Sequence, residues 1–323
     1  MLQKIDQNNE INEIIQDREK EHRKLASVLS HLAKNPHQAK SIFLKMDVSD
    51  NTRKEYASRI NQFLAFCEYH PITLDIFLDF KKELSTCELK TSSKNKYLGV
   101  ARIFLRELVR QGFIKDPTLN VRLFKCGIGH KKFGHTSEEV KKITRFLDNS
   151  DNTPEFHRMK AIFYLAAMHG LRQVEIARLG YDDVDLFSGH LNIIGKGRDD
   201  KERVYISEKT IDVLKTYMDS WKIHTGSLFI STSNRSKGKR LSTWAIRQIY
   251  KKLKISCGTN ASMHGFRHFF TTEMIKKNIP LNTVQKFTRH KSLNMLQVYN
   301  DEIILKDESS DIYDKVFSKY TGC

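Results

Sequence analysis

Apolar residues recur at helical spacing through the first third of the chain. Between Ile11 and Leu32 they fall roughly every 3.6 residues with charges between them, which predicts an N-terminal helical extension over residues 1–46. Three further segments follow, and the first is opened by the run Ser49-Asp50-Asn51-Thr52, which offers several helix N-cap choices. Together they predict a small helical bundle over residues 47–115. The expected core positions of these segments are Tyr56, Ile60, Phe63 and Cys67, then Leu74, Phe77, Leu78 and Leu84, then Tyr97, Val100, Ala101, Phe104 and Leu108.

The hydrophobic pattern changes after the bundle. Residues 116–135 contain one proline and three glycines, which predicts a linker. A second, mostly helical domain is expected over residues 136–323, with two β-rich runs about a glycine-containing turn at 191–206. The length of 323 residues agrees with two domains, because single cores rarely grow beyond about 250–300 residues. The expected fold class is mainly α with a small β-sheet.

Positive charge is concentrated in two blocks. The formal net charge is +17, and residues 201–300 hold 19 basic and 5 acidic residues. Residues 51–130 hold 14 basic and 8 acidic residues, whereas the last 23 residues hold 3 and 6. Such blocks are typical of a surface that binds phosphate groups, so nucleic acid is the expected partner. Lysines that only keep the protein soluble would give a similar excess, and charge alone does not separate DNA from RNA.

Composition also disfavours several classes of protein. No stretch approaches the roughly 18 apolar residues of a transmembrane helix, and the N-terminus lacks the apolar core of a signal peptide. The five cysteines lie far apart without a C-x-x-C pair, which indicates neither a disulfide framework nor a zinc site. We expect a cytoplasmic protein without a cofactor, a metal ion, a membrane partner or a small-molecule substrate.

Two short motifs with candidate chemistry lie in the first half of the second domain. In the run H-G-L-R-Q-V-E-I, Arg172 and Glu175 are three residues apart and share a helical face. The run Gly195-Lys196-Gly197 places a lysine in the predicted hairpin turn. It is not a Walker A loop, because a Ser or Thr would have to follow the lysine. Taken alone, the first motif is better explained as an ordinary ion pair on a helix surface. The second is more often a turn that is exposed to solvent.

Two more motifs follow in the basic block. His264 and Arg267 form an H-x-x-R pair, and on a helix their side chains would project from the same face. The run Thr288-Arg289-His290 precedes Tyr299, which comes nine residues after the histidine. An H-x-x-R match is common by chance, and a core or capping role is the ordinary expectation for a tyrosine.

Taken in order, the four motifs resemble the tyrosine recombinase family, also called phage integrases, in its Xer-like form. That family has a G-L-R-x-x-E-[IL] box, a G-K-G hairpin lysine, an H-x-[LF]-R-H box, and a G-H pair followed nine residues later by the nucleophilic tyrosine. The resemblance covers about residues 50–300 and includes the run from Ser49 to Tyr56. It implies a helical (SAM-like) core-binding domain and an α/β catalytic domain that together form a clamp around double-stranded DNA.

The resemblance also implies a mechanism that needs no metal ion. Tyr299 would attack a DNA phosphate and form a covalent 3′-phosphotyrosine. Lys196 would protonate the leaving 5′-oxygen, and His264 would serve as acid and base near the tyrosine.

The resemblance implies that the remaining positions bind the DNA phosphate or support the residues that do so. Arg172, Arg267 and His290 would donate hydrogen bonds to the non-bridging phosphate oxygens. Glu175 would support the site by positioning the histidines.

Two positions depart from the family pattern. The hairpin turn is longer than is usual, so Lys201 is an alternative to Lys196 as the acid. Arg289 stands where a glycine usually precedes the histidine, which adds positive charge without removing a catalytic group.

The sequence also suggests contacts outside the active site. A C-terminal helix with Val316, Phe317 and Tyr320 would dock either on a neighbouring subunit of a tetramer that holds two DNA sites, or on its own domain. The candidate DNA-binding residues are Lys94, Lys96 and Arg102 in the bundle, and Lys237, Lys239 and Arg240 in the polar loop 231–240.

The expected function is therefore site-specific recombination of DNA, for integration and excision or for resolution of dimers. A type IB topoisomerase or a telomere resolvase would use the same chemistry, although the H-x-x-R box and the nine-residue spacing to Tyr299 fit recombinases better. A catalytically idle DNA-binding regulator is the third possibility, but all six catalytic positions are filled.

Overall fold

The chain folds into two units, Met1–Gly127 and Ile128–Cys323. The computed structural model describes residues 2–126, 134–195, 200–260, 262–303 and 316, with side chains described from residue 12 onward except at positions 300 and 302. The division between the units falls inside the stretch predicted as a linker.

The first unit is helical in its described part. Ser49 is the N-cap of the third helix, and its hydroxyl accepts a hydrogen bond from the Thr52 amide at 3.3 Å. The fifth helix is followed by Gly112, whose φ of +75° favours glycine. The helices are α1 (Leu2–Lys34), α2 (Pro36–Ser41), a 3₁₀ turn (Ile42–Lys45), α3 (Asp50–Tyr69), α4 (Ile76–Thr86) and α5 (Thr91–Arg110).

Helix α1 belongs to the core of this unit. Leu25 and Leu29 are buried in the same apolar cluster as Phe63 and Phe104 of the bundle. The predicted helix is present as α1, but the side chains of residues 12–20 are all exposed, so Ile14 and Ile15 do not join this cluster. Among the described side chains of α1, Leu25 is the first that is buried in this cluster, and the exposed Asp17 forms an ion pair with Lys115 at 3.0 Å.

The predicted core of the bundle is correct except in α4. Leu78 is 38% exposed, so its assignment to the core is wrong, whereas Ile76 and Phe80 are buried. The reason is that α4 begins at Ile76, and Ile76, Phe77, Phe80 and Leu84 share one face of the helix.

The segment after the bundle is held against α5. Asn95 makes two hydrogen bonds to the backbone of Phe124, at 2.9 and 2.8 Å. The Arg106 guanidinium donates to the hydroxyl of the buried Thr118 at 3.2 Å. The start of the predicted linker is thus part of the first unit, and residues 127–133 lie outside the described residues.

The second unit combines helices with one small sheet. Its helices are α6 (Ser137–Asp148), α7 (Pro154–Ala167), α8 (Gln173–Arg178), a 3₁₀ turn (Tyr181–Asp183), α9 (Glu208–Trp221), α10 (Thr243–Cys257), α11 (Gly265–Lys276), α12 (Leu281–Thr288) and α13 (Asn294–Ile303). Its strands are β1 (Val184–Asp185), β2 (His190–Ile194) and β3 (Lys201–Tyr205).

The sheet is antiparallel with the order β1-β2-β3. His190 pairs with Tyr205 and Ile194 with Lys201, which confirms the predicted pair of strands about a turn. Strand β1 was not predicted, because two residues are too few to show an alternating pattern.

Two apolar clusters of this unit position the helices that carry the motifs. Phe266 of α11 is fully buried and contacts Phe163 of α7 edge-on, with ring centroids 5.3 Å apart. A smaller cluster of Ile275, Val284 and Leu296 joins α11, α12 and α13. These contacts fix the helices from which the candidate catalytic side chains project.

The predicted fold class, mainly helical with a small sheet and two domains, is confirmed. Within the described part of the chain, no helix is both long enough and apolar enough to span a bilayer.

Candidate active site

Arg172 and Glu175 form the first part of the site at the start of α8. Arg172 is the N-cap residue, and its amide donates to Glu175 Oε2 at 2.7 Å. Its Nη1 donates to Glu175 Oε1, also at 2.7 Å. Burial raises the pKa of Glu175, but the charge of Arg289 and the hydrogen bonds from Arg172 outweigh it, so the pKa lies below its ordinary value. Glu175 is therefore a buried carboxylate ion.

Arg267 projects from the first turn of α11 into the same region and is only 2% exposed. Its Nη1 donates to the Gly170 carbonyl at 2.7 Å, and its Nη2 donates to the Thr288 carbonyl. Burial, with the charges of Arg172 and Arg289, lowers its pKa to about 9. Arg267 thus stays charged at neutral pH.

Gly170 is required by the backbone at this point. Its φ is +60°, and an added Cβ would lie 2.6 Å from Cδ1 of Phe270. The carbonyl that this conformation presents accepts hydrogen bonds from Arg267 and, at 3.3 Å, from Arg289.

Arg289, a residue with left-handed backbone conformation at the end of α12, links Arg172 and Arg267. Arg289 has φ 57° and ψ 42° and is the C-cap of the helix. The carbonyl before it, of Thr288, accepts from Arg267, and its own carbonyl accepts from Arg172 Nη2 at 3.1 Å. Its side chain reaches Glu175, with Nη2 3.2 Å from Oε2. Glu175 thus bridges two arginines.

His290 is a neutral imidazole with a defined tautomer. The hydroxyl of Thr288 donates to the Val284 carbonyl at 2.7 Å and lies 2.7 Å from Nδ1 of His290. A hydroxyl has one proton, and with that proton on the Val284 carbonyl the hydroxyl oxygen accepts from Nδ1, which carries the hydrogen in this arrangement. Nε2 of His290 is then left with its lone pair.

Positive charge around His290 keeps it neutral. Burial, together with Arg267, Arg172, Arg289 and His264, lowers the pKa of His290 to about 3. An anion bound to these arginines would offset their charge and favour protonation of Nε2.

Tyr299 lies on α13 beside these groups and is 5% exposed. Its ring centroid is 5.0 Å from that of His268 and 6.2 Å from that of His290. A charge on Tyr299 would favour the charged form of Arg267. The exposed His264 is next to this group, with its ring 5.3 Å from His268.

The structure thus brings Arg172, Glu175, Arg267, His290 and Tyr299 together in the second unit, with His264 at the edge. Lys196 lies outside the described residues.

The alternative lysine is engaged elsewhere. Lys201 Nζ lies 2.6 Å from Asp183 Oδ1, and this carboxylate raises the pKa of Lys201. The next residue, Glu202, favours the charged form of Arg289. Of these two neighbouring residues of β3, Glu202 interacts with Arg289 of the site, whereas Lys201 is paired with Asp183.

Sequence reasoning did not assign a role to Gly170, His268 or Thr288. His268 was visible as the second histidine of the H-G-F-R-H run, but its contact with Tyr299 depends on how α11 packs against α13. The signal for Gly170 was its place as the first residue of the G-L-R box, and that for Thr288 was its place two residues before His290.

The candidate DNA-binding residues of the bundle differ in their surroundings. Lys96 is exposed, whereas Lys94 donates to the Ser85 carbonyl at 2.8 Å. Arg102 donates to the Val121 carbonyl and lies over the Phe77 ring at 5.3 Å.

The candidates in the polar loop of the second unit also differ. Lys237 and Lys239 are exposed. Arg240 donates to the carbonyls of Ala177, Arg178 and Leu179 at the end of α8. It therefore caps the helix that carries Glu175.

In the described ranges, no group of three or more His, Cys, Asp or Glu side chains is arranged to hold a metal ion.

Comparison with known proteins gives one family and several relatives. The model of the phage integrase family matches residues 136–303, which is more than half of the chain. The tyrosine recombinase XerC of Lactobacillus delbrueckii subsp. bulgaricus is 29% identical over 222 residues, which cover 66% of this chain and 72% of that protein. The tyrosine recombinase XerD of Staphylococcus epidermidis is 25% identical over 276 residues, covering 80% and 90%.

A solved structure has the same fold. The XerH site-specific recombinase, in a post-cleavage complex with a palindromic difH substrate, covers 91% of this chain and 94% of its own with a TM-score of 0.65. The sequences are 17% identical, so this likeness concerns the fold alone.

The neutral histidines generate a prediction about stability and pH. The pKa of His290 is lowered to about 3 and that of His169, by burial and by Arg289, to about 4, both below the value near 6.5 expected in an unfolded chain. The unfolded state then binds more protons between these values, so the free energy of unfolding falls as the pH drops from about 6.5 toward 4. The variant His290→Gln removes one group that binds a proton in the unfolded state. It should therefore reduce the slope of the free energy of unfolding against pH by up to about 1.4 kcal/mol per pH unit.

Urea unfolding at several pH values, followed by tryptophan fluorescence, measures the slope. Both tryptophans, Trp221 and Trp244, lie in the second unit and report on it. The exposed His224→Gln is the matched control. An unchanged slope in His290→Gln would show that the pKa of this histidine is not lowered in the folded protein.

Proposed function

We propose a function for this chain that starts from its family: the chain belongs to the phage integrase family. It is a site-specific tyrosine recombinase, an enzyme that breaks and rejoins DNA strands. The observation that carries the assignment of its residues is the convergence of Arg172, Arg267, His290 and Tyr299, which are far apart in sequence, on one buried region of the second unit.

In the proposed mechanism, Arg172 and Arg267 bind the non-bridging oxygens of the scissile phosphate. A guanidinium carries five N–H donors, and the hydrogen bonds described above use two of those of Arg172. The carboxylate and the carbonyls behind the arginines orient their remaining donors before DNA arrives, which lowers the cost of reorganisation in the transition state.

Tyr299 then attacks the phosphorus. A bond forms between its phenolic oxygen and phosphorus, and the bond from phosphorus to the 5′-oxygen breaks, which leaves a 3′-phosphotyrosine. His264 takes the phenolic proton, and Lys196 gives a proton to the leaving 5′-oxygen. Rejoining is the reverse of these steps. The ordinary pKa of tyrosine is about 10, and the neighbouring arginines favour the ionised form in the transition state.

His290 binds the phosphate after the charge around it changes. The anion offsets the three guanidinium groups that hold the histidine neutral, so Nε2 can be protonated and donate to a phosphate oxygen.

We propose that both units contact double-stranded DNA. Lys96, Lys237 and Lys239 are exposed and suit direct contacts with phosphate groups. Arg102 and Arg240 donate hydrogen bonds to backbone carbonyls. We propose that these hydrogen bonds stabilise the local backbone of the surfaces from which the lysines project.

We further propose that the recombinase works as a tetramer on two DNA sites, in integration and excision or in dimer resolution. A cytoplasmic location stays a prediction of the sequence. Support for subunit contacts comes from three apolar side chains near the site that are exposed, Phe287 (53%), Leu293 (44%) and Met295 (51%). They would receive the C-terminal segment of a neighbouring copy, which carries Phe317.

The nucleophile can be tested by trapping. A duplex selected for binding from a random pool, and nicked near the scissile phosphate, loses a short fragment after cleavage and cannot be rejoined. Wild-type protein should form a covalent adduct that resists denaturing gel electrophoresis, whereas Tyr299→Phe should form none because it lacks the attacking oxygen. Tyr205→Phe, at an exposed tyrosine of β3, is the matched control and should react like wild type.

An adduct in Tyr299→Phe would overturn the assignment of this residue. Binding without any wild-type adduct would favour the idle regulator. Relaxation of supercoiled plasmid that lacks the selected sequence would favour a topoisomerase.

The two lysines of the hairpin predict different effects. Because Lys196 protonates the leaving oxygen, Lys196→Ala should slow cleavage about 100-fold or more. Lys201→Ala should change the rate less than about threefold, because its amine is already paired with Asp183. A duplex with a 5′-bridging phosphorothiolate supplies a leaving group that needs no proton and should restore cleavage in Lys196→Ala. If Lys201→Ala is the variant restored, the alternative lysine is the acid.

Assembly gives a separate prediction. Mass photometry with paired sites should show four copies on two duplexes for the wild type. Leu293→Ser should remove this complex but keep the binding of the protein to one duplex, because only the contact between copies loses apolar area. Leu44→Ser, exposed to 66% in the first unit, is the control. Persistence of the four-copy complex in Leu293→Ser would contradict the proposed contact.

A further inference from the structure

The left-handed residue Arg289 raises a question that the proposed mechanism does not answer. A side chain with a Cβ adopts this backbone conformation at a cost, and glycine is the residue that avoids it. In the family that the chain resembles, a glycine usually stands here. The contacts of the arginine side chain are therefore of interest, because they can offset the cost of its backbone.

Those contacts are made inside the site. The Arg289 side chain is 4% exposed, and its Nη2 lies 3.2 Å from Glu175 Oε2 and 3.3 Å from the Gly170 carbonyl. Its Nη1 donates to the Phe287 carbonyl at 2.8 Å. The side chain thus ties the end of α12 to the start of α8.

The same turn presents the carbonyls that hold both phosphate-binding arginines. The Thr288 carbonyl accepts from Arg267 and the Arg289 carbonyl from Arg172. Glu175 provides a second link, because its Oε1 holds Arg172 while its Oε2 accepts from Arg289.

We propose that Arg289 is a positioning residue for the scissile phosphate: its backbone directs two carbonyls at Arg267 and Arg172, and its side chain locks that turn and Glu175 in place. It acts through the two arginines and does not touch the DNA. The proposal rests on the proposed function for the role of these arginines.

The charge of Arg289 gives a second readout. It contributes to the low pKa of His290, together with Arg267 on α11, Arg172 at the start of α8 and His264 before α11. Tyr299 on α13 also faces the His290 ring. Removing Arg289 should therefore raise the pKa of His290 in the protein without DNA, which a role confined to stability would not do.

The test compares Arg289→Gly with Lys222→Gly. Lys222 is also a left-handed C-cap residue, with φ 51° at the end of α9, and it is exposed. Both changes relieve the same backbone strain and remove one positive charge, but only the first removes contacts with Glu175. The readouts are affinity for the selected duplex, the rate of single-turnover adduct formation, and the pKa of His290 by NMR.

We expect Arg289→Gly to bind the duplex within about threefold of wild type but to form the adduct roughly 100-fold more slowly, since small misplacements of reacting groups have effects of this size. Arg289→Lys should recover part of the rate, because it keeps the charge near Glu175. Combining Arg289→Gly with Glu175→Gln should add little to the loss, because both break the same link. Lys222→Gly should react like wild type.

Adduct formation by Arg289→Gly at the wild-type rate would overturn the proposal. So would a slow Arg289→Gly whose His290 pKa is unchanged and whose loss is simply multiplied by that of Glu175→Gln. If the wild type itself forms no adduct, the proposed function fails, and the NMR titration alone decides whether Arg289 controls His290.

Discussion

Three guanidinium groups lie close together around one buried carboxylate, which pairs with two of them, and the rest of the active site depends on how the chain tolerates this arrangement. Like charges about 4 Å apart repel by roughly 4 kcal/mol even at an effective dielectric constant near 20. Arg172, Arg267 and Arg289 are held together because Glu175 pairs with two of them and backbone carbonyls accept from all three. The carbonyls come from the glycine turn before α8 and from the left-handed turn after α12. The geometry of these two turns therefore sets where the positive charge lies.

The arrangement leaves the site with an excess of positive charge before DNA binds. This excess stabilises an anion that enters, and it holds His290 in the neutral form with a free lone pair on Nε2. Tyr299 packs against this group on α13, in the apolar cluster that joins three helices. Folding thus includes the unfavourable free energy of keeping these cations close together, and the binding of a phosphate in the proposed mechanism would offset part of it. The arginines are thus already in position before DNA binds, which is what preorganisation means in this site.

Much of the fold could be predicted because the patterns that specify it are local. The start of α3 within the run from Ser49 to Thr52 and the pair of strands β2 and β3 each depend on a few neighbouring residues. The error in α4 has a different origin. Leu78 has the periodicity of a core residue, but whether such a position is covered depends on where the helix starts and how its neighbours pack. Long-range packing decides this, and it leaves no local signal.

The sequence by itself determined the order of the motifs, the identity of the chemical groups and the sign of the partner's charge. It did so because spacing along a helix and net charge follow directly from residue order. Only the tertiary structure decided that Arg240 caps the helix of Glu175, that the Thr288 hydroxyl contacts Nδ1 of His290, and that Arg289 links Arg172 and Arg267. Each of these depends on distances between segments remote in the chain, and such distances exist only once the cores have packed.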